Sequence, residues 1–287
     1  MLKKETKSEC RHAYNNFVKD MVSGDKIPKK LYTYVKGKRC DSSGIAPLKS
    51  EGITYSDPKD KATILNNQFT SVFTKEETSS IPQMQGKPSP SMPDFTVGVP
   101  GVRKLLLELD VHKAAGPDNI PTRYLKDYAE EIAPALTLVY EASLQQGEVP
   151  ADWRIALVTP IFKKGDHSKP ANYRPISLTS VCCKILEHVI HSQIMAHFER
   201  NNILSDAQHG FRERRSTESQ LILTLQDFAK ALDDSKQIDA ILLDFSKAFD
   251  VVPHKRLAAK LHHYGVRGNT RSWIRSFLSH RTQQVLV

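Results

Sequence analysis

Two aspartates near the end of the sequence, Asp244 and Asp250 in the string ILLDFSKAFD, are candidates for metal chemistry. The apolar run before Asp244 predicts a buried strand, so this carboxylate would stand where a strand leaves the core. An ionised group at such a place must be paired or must bind a cation. Mg²⁺ takes carboxylate oxygens together with substrate phosphates, which suits an aspartate at a strand end. The spacing alone leaves open the simpler alternative that Asp244 only caps the following turn.

The elements that would position these aspartates are predicted by apolar periodicity. Residues 155–162 predict a strand, and ISL at 176–178 predicts its return after a charged loop. Residues 240–245 (AILLDF) predict a buried strand, and Asp57 is the predicted cap of an early helix. Helices and strands without strict alternation favour an α+β fold. Apolar residues at spacings of three and four predict further helices over 102–109, 124–144, 181–198, 217–232 and 254–264.

A change in composition divides the chain. Residues 76–100 hold five of the sixteen prolines, among Ser and Gly, which predicts a linker. The predicted organisation is therefore a basic, mainly helical extension over 1–75, a linker over 76–100 and a larger domain over 101–287.

The net charge of +9 is concentrated at the two ends of the sequence. Residues 1–50 carry +7, residues 251–287 carry +7 without any acidic residue, and the residues between them sum to −5. Lys and Arg neutralise phosphates and release counterions, so two basic ends on a near-neutral body suggest contact with a polyanion. Ordinary solubilising charge is the alternative that charge alone leaves open.

Composition narrows the class of protein. With 287 residues, 39% hydrophobic and 25% charged, the chain is globular rather than disordered. No apolar run approaches the ~18–20 residues of a membrane span, and MLKKETKSEC lacks an apolar leader segment. Four cysteines without a C-x-x-C pair indicate neither a disulfide framework nor a zinc ribbon. We therefore expect a protein of the cell interior, in the cytoplasm and nucleus, with no membrane partner.

Five strings occur in one order along the chain: KAAGPDNIP, PIFKKGD, NYRPISL, QHGFRERRST and LDFSKAFDVVPH. Their order and spacing resemble the reverse transcriptases of non-LTR (LINE-type) retrotransposons over about residues 100–287, and residues 10–75 more loosely resemble the segment that precedes the polymerase. The resemblance implies the fingers and part of the palm of a right-hand polymerase. It also implies an RNA-directed DNA polymerase that uses Mg²⁺, or Mn²⁺, with an RNA template, a DNA primer or target and deoxynucleoside triphosphates.

The same resemblance implies roles for individual residues. Asp244 would be the catalytic aspartate and would bind Mg²⁺ with the backbone carbonyl of Phe245. Phe249 would pack under the incoming sugar and exclude a ribose 2′-hydroxyl, whereas Asp250 would cap the following helix. The residues that would bind the triphosphate are Lys163 or Lys164, with Arg174. The residues that would lie near the template are Gln208, Gly210, Phe211 and Arg212.

One feature departs from the family pattern. The palm of these enzymes contains a later aromatic-x-Asp-Asp turn, but the only Asp-Asp pair here, Asp233–Asp234, precedes Asp244. From this we expect a C-terminally truncated fragment that is inactive alone. The competing hypothesis is a non-catalytic nucleic-acid-binding remnant or a translated pseudogene.

Overall fold

The computed structural model of the protein describes residues 9, 11–13, 15–16, 44–77 and 81–287. The chain divides into two compact units, 1–46 and 47–287. In the first unit, the described positions between 9 and 16 are helical. Most of the predicted basic extension before residue 44 lies outside the described residues.

The second unit combines helices with short strands, in agreement with the predicted α+β class. None of the helices in the described ranges has the length and apolar composition that crossing a lipid bilayer requires. In chain order the elements are β1 (Leu48–Ser50), β2 (Ile53–Tyr55), α1 (Pro58–Thr70), α2 (Val99–Leu107), α3 (Thr122–Asp127), α4 (Ala129–Gln146), β3 (Ile155–Phe162), β4 (Tyr173–Leu178), α5 (Val181–Arg200), α6 (Thr217–Asp233), α7 (His254–His263), α8 (Gly268–Leu278) and β5 (Thr282–Val285).

The central sheet has the strand order β4-β3-β5. Strands β3 and β4 pair antiparallel from Leu157↔Leu178 to Phe162↔Tyr173, which confirms the predicted returning strand. Strand β5 pairs parallel with the first half of β3. The β3–β4 hairpin therefore extends beyond the end of β5. The second half of β3 pairs with β4 and not with β5.

A helical core supports this sheet. Helices α2, α4 and α5 contribute most of the buried apolar residues. Tyr140 is fully buried, its hydroxyl donates to the Cys182 carbonyl at 2.6 Å, and its ring meets Trp153 edge-on. Helix α8 joins through Trp273, whose indole N–H donates to the Ser143 hydroxyl at 2.9 Å. Trp153, which lies two residues before the start of β3, belongs to this core, so the start of the strand is anchored on the helices.

A local signal predicted the start of α1 correctly. The side chain of Asp57 accepts from the backbone N–H groups of Lys59 and Asp60, as expected of a helix cap. The single helix predicted over 124–144 is instead two helices, because Tyr128 adopts a non-helical conformation between α3 and α4.

The predicted buried strand over 240–245 is wrong. These residues form no regular secondary structure, and Ile241, Leu242 and Leu243 are exposed, Leu242 by 91%. A strand needs a partner for its backbone N–H and C=O groups. Within the described part of the chain no strand pairs with this segment, so its apolar composition alone does not bury it.

Candidate functional site

The tip of the β3–β4 hairpin is a folded loop that presents Lys163 and Lys164. The Lys163 N–H donates to the Asn172 carbonyl at 2.9 Å and continues the ladder beyond the strand ends. Asp166 accepts from the backbone N–H and the hydroxyl of Ser168, and these bonds lower the pKa of the Asp166 carboxyl. Both lysines remain exposed.

Arg174 lies beside this tip. It pairs across the strands with Ile161, and both side chains are exposed, so they share one face of the hairpin. The structure thus brings together the three predicted triphosphate-binding cations, Lys163, Lys164 and Arg174. No ion pair joins any of them to a carboxylate among the described residues.

A second loop, residues 205–216, carries the predicted template residues. The Arg212 guanidinium donates to both carboxylate oxygens of Glu199, at 2.9 and 2.6 Å, and to the Ser205 carbonyl at 2.8 Å. This pairing lowers the pKa of Glu199 and raises that of Arg212. With its side chain only 8% exposed, Arg212 fastens the loop to the end of α5. Its predicted contact with the template stays a prediction.

The same loop reaches the segment that contains the candidate aspartates. Phe211 has a positive φ of 61° and is 82% exposed, and Gln208 donates through its amide to the Gly210 carbonyl at 3.2 Å. The ring of Phe211 meets the ring of Phe249 at a centroid distance of 5.9 Å. A predicted template residue and the predicted sugar-contacting residue are therefore neighbours.

Asp244 and Phe245 are both exposed. In the ranges that the structure describes, no group of three or more His, Cys, Asp and Glu side chains is arranged to hold a metal ion. Mg²⁺ requires near-octahedral oxygen coordination, so Asp244 and one carbonyl do not by themselves fit this ion. The predicted metal site is incomplete in this arrangement.

The end of helix α7 nearest to the candidate aspartates is capped from a distant part of the chain. Glu76 accepts from the backbone N–H groups of Lys255 and Arg256, both at 2.9 Å. Loss of solvent contact works to raise the pKa of Glu76, but these two donors and the adjacent cations bring it below its ordinary value. The Thr74 hydroxyl also donates to the Val251 carbonyl at 2.7 Å.

The prediction that Asp250 caps this helix is wrong. Helix α7 begins only at His254, with Pro253 before it, so Asp250 lies too early in the chain. The sequence does not predict that Glu76 caps α7. Glu76 is 179 residues from Lys255, and no local pattern links the two positions.

A cavity of about 550 Å³ lies beside Phe249 and Asp250. Its wall combines the end of α1, the end of β4 and the connection from α8 to β5. The sequence did not predict this cavity, because its residues come from five separate segments. They include Thr74, Glu76, Ser177, Thr179, Val252, His254, His280 and Arg281.

Comparison with known proteins shows which family a part of this chain resembles. Residues 161–286 match the family described as reverse transcriptase (RNA-dependent DNA polymerase). Over this range the chain is similar to reverse transcriptases. The reverse transcriptase segment includes the hairpin tip, the loop with Phe211 and Arg212, and Asp244, whereas Glu76 precedes it.

Curated relatives agree with this assignment. The chain is 28% identical over 226 residues to a Drosophila melanogaster protein named as a probable RNA-directed DNA polymerase from transposon BS, covering 76% of this chain and 24% of that protein. It is 30% identical over 161 residues to a probable polymerase from the X-element of that species, covering 56% and 18%. It is also 27% identical over 198 residues to the RNA-directed DNA polymerase from its mobile element jockey, covering 69% and 22%.

These relatives are RNA-directed DNA polymerases of non-LTR retrotransposons, as the sequence motifs predicted. The chain spans less than a quarter of the length of each of the three.

Proposed function

We propose that this chain acts in RNA-directed DNA synthesis by a non-LTR retrotransposon, where it binds the RNA template, the DNA primer or target and the incoming deoxynucleotide. The match of residues 161–286 to the reverse transcriptase family carries the proposal. Such a chain would act where element RNA meets target DNA, in the cytoplasm and nucleus.

The hairpin tip would bind the triphosphate. Lys163 and Lys164 are exposed on a loop whose conformation is held by its own hydrogen bonds, and Arg174 is exposed beside that loop on β4. Arg offers a planar fork of donors to phosphate oxygens and Lys a mobile point charge, so the pair suits a flexible polyanion. A preformed loop loses little conformational entropy on binding, which supports this role.

The Phe211–Phe249 pair would form the wall against which the sugar of the incoming nucleotide packs. Phe249 is 78% exposed apart from its contact with Phe211, so its ring is accessible to a ligand. An additional hydroxyl at the 2′ position would collide with a ring held in this way. Gln208 and Gly210 belong to the same loop and would approach the template strand.

Reverse transcriptases use divalent metal ions, and Asp244 with the Phe245 carbonyl would supply ligands to one. The further oxygen ligands that Mg²⁺ needs would have to join Asp244 from residues that the described arrangement does not cluster with it. The contribution proposed for this chain is thus one carboxylate of the metal site.

A segment exchange tests the proposal. Residues 101–287 would replace the matching segment of the jockey polymerase, and extension of a DNA primer on an RNA template would be measured. We expect templated extension by the chimera. A chimera that folds and binds template–primer but extends no primer would contradict the proposed function.

A further inference from the structure

Helix α7 carries a concentrated positive charge. Residues 251–287 contain seven basic and no acidic residues, and Lys255, Arg256 and Lys260 are all exposed on α7. At 3.6 residues per turn the three fall within about 140° of helical arc and about 7.5 Å of axis. The opposite face holds the helix to the protein through Ala258, which is buried.

Inside the fold this charge is offset only in part, by the carboxylate of Glu76 near Lys255 and Arg256. Among the described residues, no carboxylate lies within ion-pair distance of the three side chains. Glu76 reaches the helix, but its two oxygens accept from the backbone N–H groups of Lys255 and Arg256. The cationic side chains themselves remain available to solvent.

The arrangement is unfavourable for an isolated helix. Lys255 and Arg256 occupy the first turn of α7, where the helix dipole favours acidic side chains. Arg256 and Lys260 are like charges four residues apart, which also destabilises a helix. Lys260 lies in the last turn, where the helix dipole favours a cation, so the unfavourable placements are those of Lys255 and Arg256. An anionic partner would offset them.

We propose that the exposed face of α7, defined by Lys255, Arg256 and Lys260, binds the phosphate backbone of nucleic acid without reading its sequence. Over about 7.5 Å one strand of a duplex presents two to three phosphates, which matches three cations. The face belongs to a different element from the predicted triphosphate-binding cations, which lie in the β3–β4 loop and on β4. The inference rests on the proposed function only in taking nucleic acid as the partner.

The test measures the salt dependence of RNA binding by the whole chain. A fluorescein-labelled 20-nucleotide oligouridine would be titrated at several salt concentrations between 50 and 300 mM. Each phosphate neutralised on a single strand contributes about 0.7 to the slope of log K against log salt. The variant Lys255→Gln/Arg256→Gln/Lys260→Gln should therefore reduce the magnitude of the slope by about 2.

A control variant removes the same charge from three other helices. Arg123→Gln/Lys184→Gln/Lys230→Gln replaces exposed cations of α3, α5 and α6 and should leave the slope unchanged. The charge-preserving Lys255→Arg/Lys260→Arg should also keep it. An unchanged slope in the α7 variant, an equal loss in both neutralised variants, or no RNA binding by the parent chain would overturn the inference. Primer extension by the chimera is read separately and does not depend on this result.

Discussion

The ring of Phe249 packs edge-on against the ring of Phe211, with their planes at 88° and their centroids 5.9 Å apart. One ring belongs to the loop after α5 and the other to the turn before α7. Aromatic pairs in this geometry contribute about 0.5–1.5 kcal/mol beyond their buried area. The contact therefore fixes the position of the ring that would exclude ribonucleotides in the proposed function.

Replacing Phe249 by Val in the jockey chimera should admit ribonucleotides, because the smaller side chain vacates the space of the 2′-hydroxyl. We expect discrimination between deoxy- and ribonucleotides to fall about tenfold or more, since close steric contacts of this kind discriminate by ~1–3 kcal/mol. Single-nucleotide incorporation of each sugar measures the ratio. Unchanged discrimination with retained activity would show that Phe249 is only a packing residue.

Phe211→Ala should weaken the same discrimination by a smaller factor. It leaves the ring of Phe249 in place but removes its support. Phe211→Tyr keeps the aromatic edge and is the matched control. Equal discrimination in the Ala and Tyr variants would mean that the ring contact does not position Phe249.

Breaking the Arg212–Glu199 pair should release the loop over 205–216. Arg212→Lys cannot reproduce the two-pronged hydrogen bonding to Glu199, so it should increase amide hydrogen exchange in the loop almost as much as Arg212→Ala. Arg214→Ala, at an exposed position of the same loop, is the control and should leave exchange unchanged. Amide exchange in the loop of the Arg212→Ala variant that is as slow as in the parent chain would contradict the role of Arg212 in holding the loop to α5.

The Glu76 cap makes the start of α7 sensitive to acid. Because the folded-state pKa of Glu76 is lowered, the cap stabilises fully above the ordinary carboxyl pKa of about 4.3 and loses its effect as the pH falls through the lowered value. Glu76→Gln should increase hydrogen exchange over 254–257 at neutral pH and remove part of its acid dependence. Glu77→Gln, one position along and exposed, should behave like the parent chain. Identical exchange in the two variants would argue against the cap.

Gly265→Ala should lower the free energy of unfolding by about 3 kcal/mol. Gly265 has φ +91°, and an added Cβ would lie 2.0 Å from the Pro90 carbonyl oxygen and 2.6 Å from His197 Nε2. Gly101→Ala, in α2 with nothing within 4 Å of the new carbon, should instead stabilise by about 0.5–1 kcal/mol. Urea unfolding measures both, and similar values for the two would contradict the close approach at Gly265.

The features that sequence predicted correctly depend on local patterns. The Asp57 cap involves neighbours two and three residues away, and the β3–β4 hairpin follows from alternation around one charged loop. The helices with regular apolar spacing were also found. The proximity of Lys163 and Lys164 to Arg174 was predicted with the hairpin, because antiparallel pairing of β3 and β4 places the two ends of the loop side by side.

The features that the sequence did not predict, or predicted wrongly, all depend on contacts with another segment of the chain. The Glu76 cap joins positions 179 residues apart, and the Arg212–Glu199 pair joins a loop to a preceding helix without any repeating interval. The apolar run at 240–245 predicted burial, but burial also requires a neighbouring strand. Sequence patterns around these residues carry no information about which distant segment lies beside them.

The central claim is that Asp244 belongs to a reverse transcriptase site, and primer extension by the jockey chimera with Asp244→Asn tests it most directly. Asn preserves the size of the side chain and removes its charge, so we expect extension on an RNA template to fall to background. Asp250→Asn, six positions away and without a capping role, should retain most of the activity. Equal extension by the parent chimera and the Asp244→Asn chimera would contradict the account.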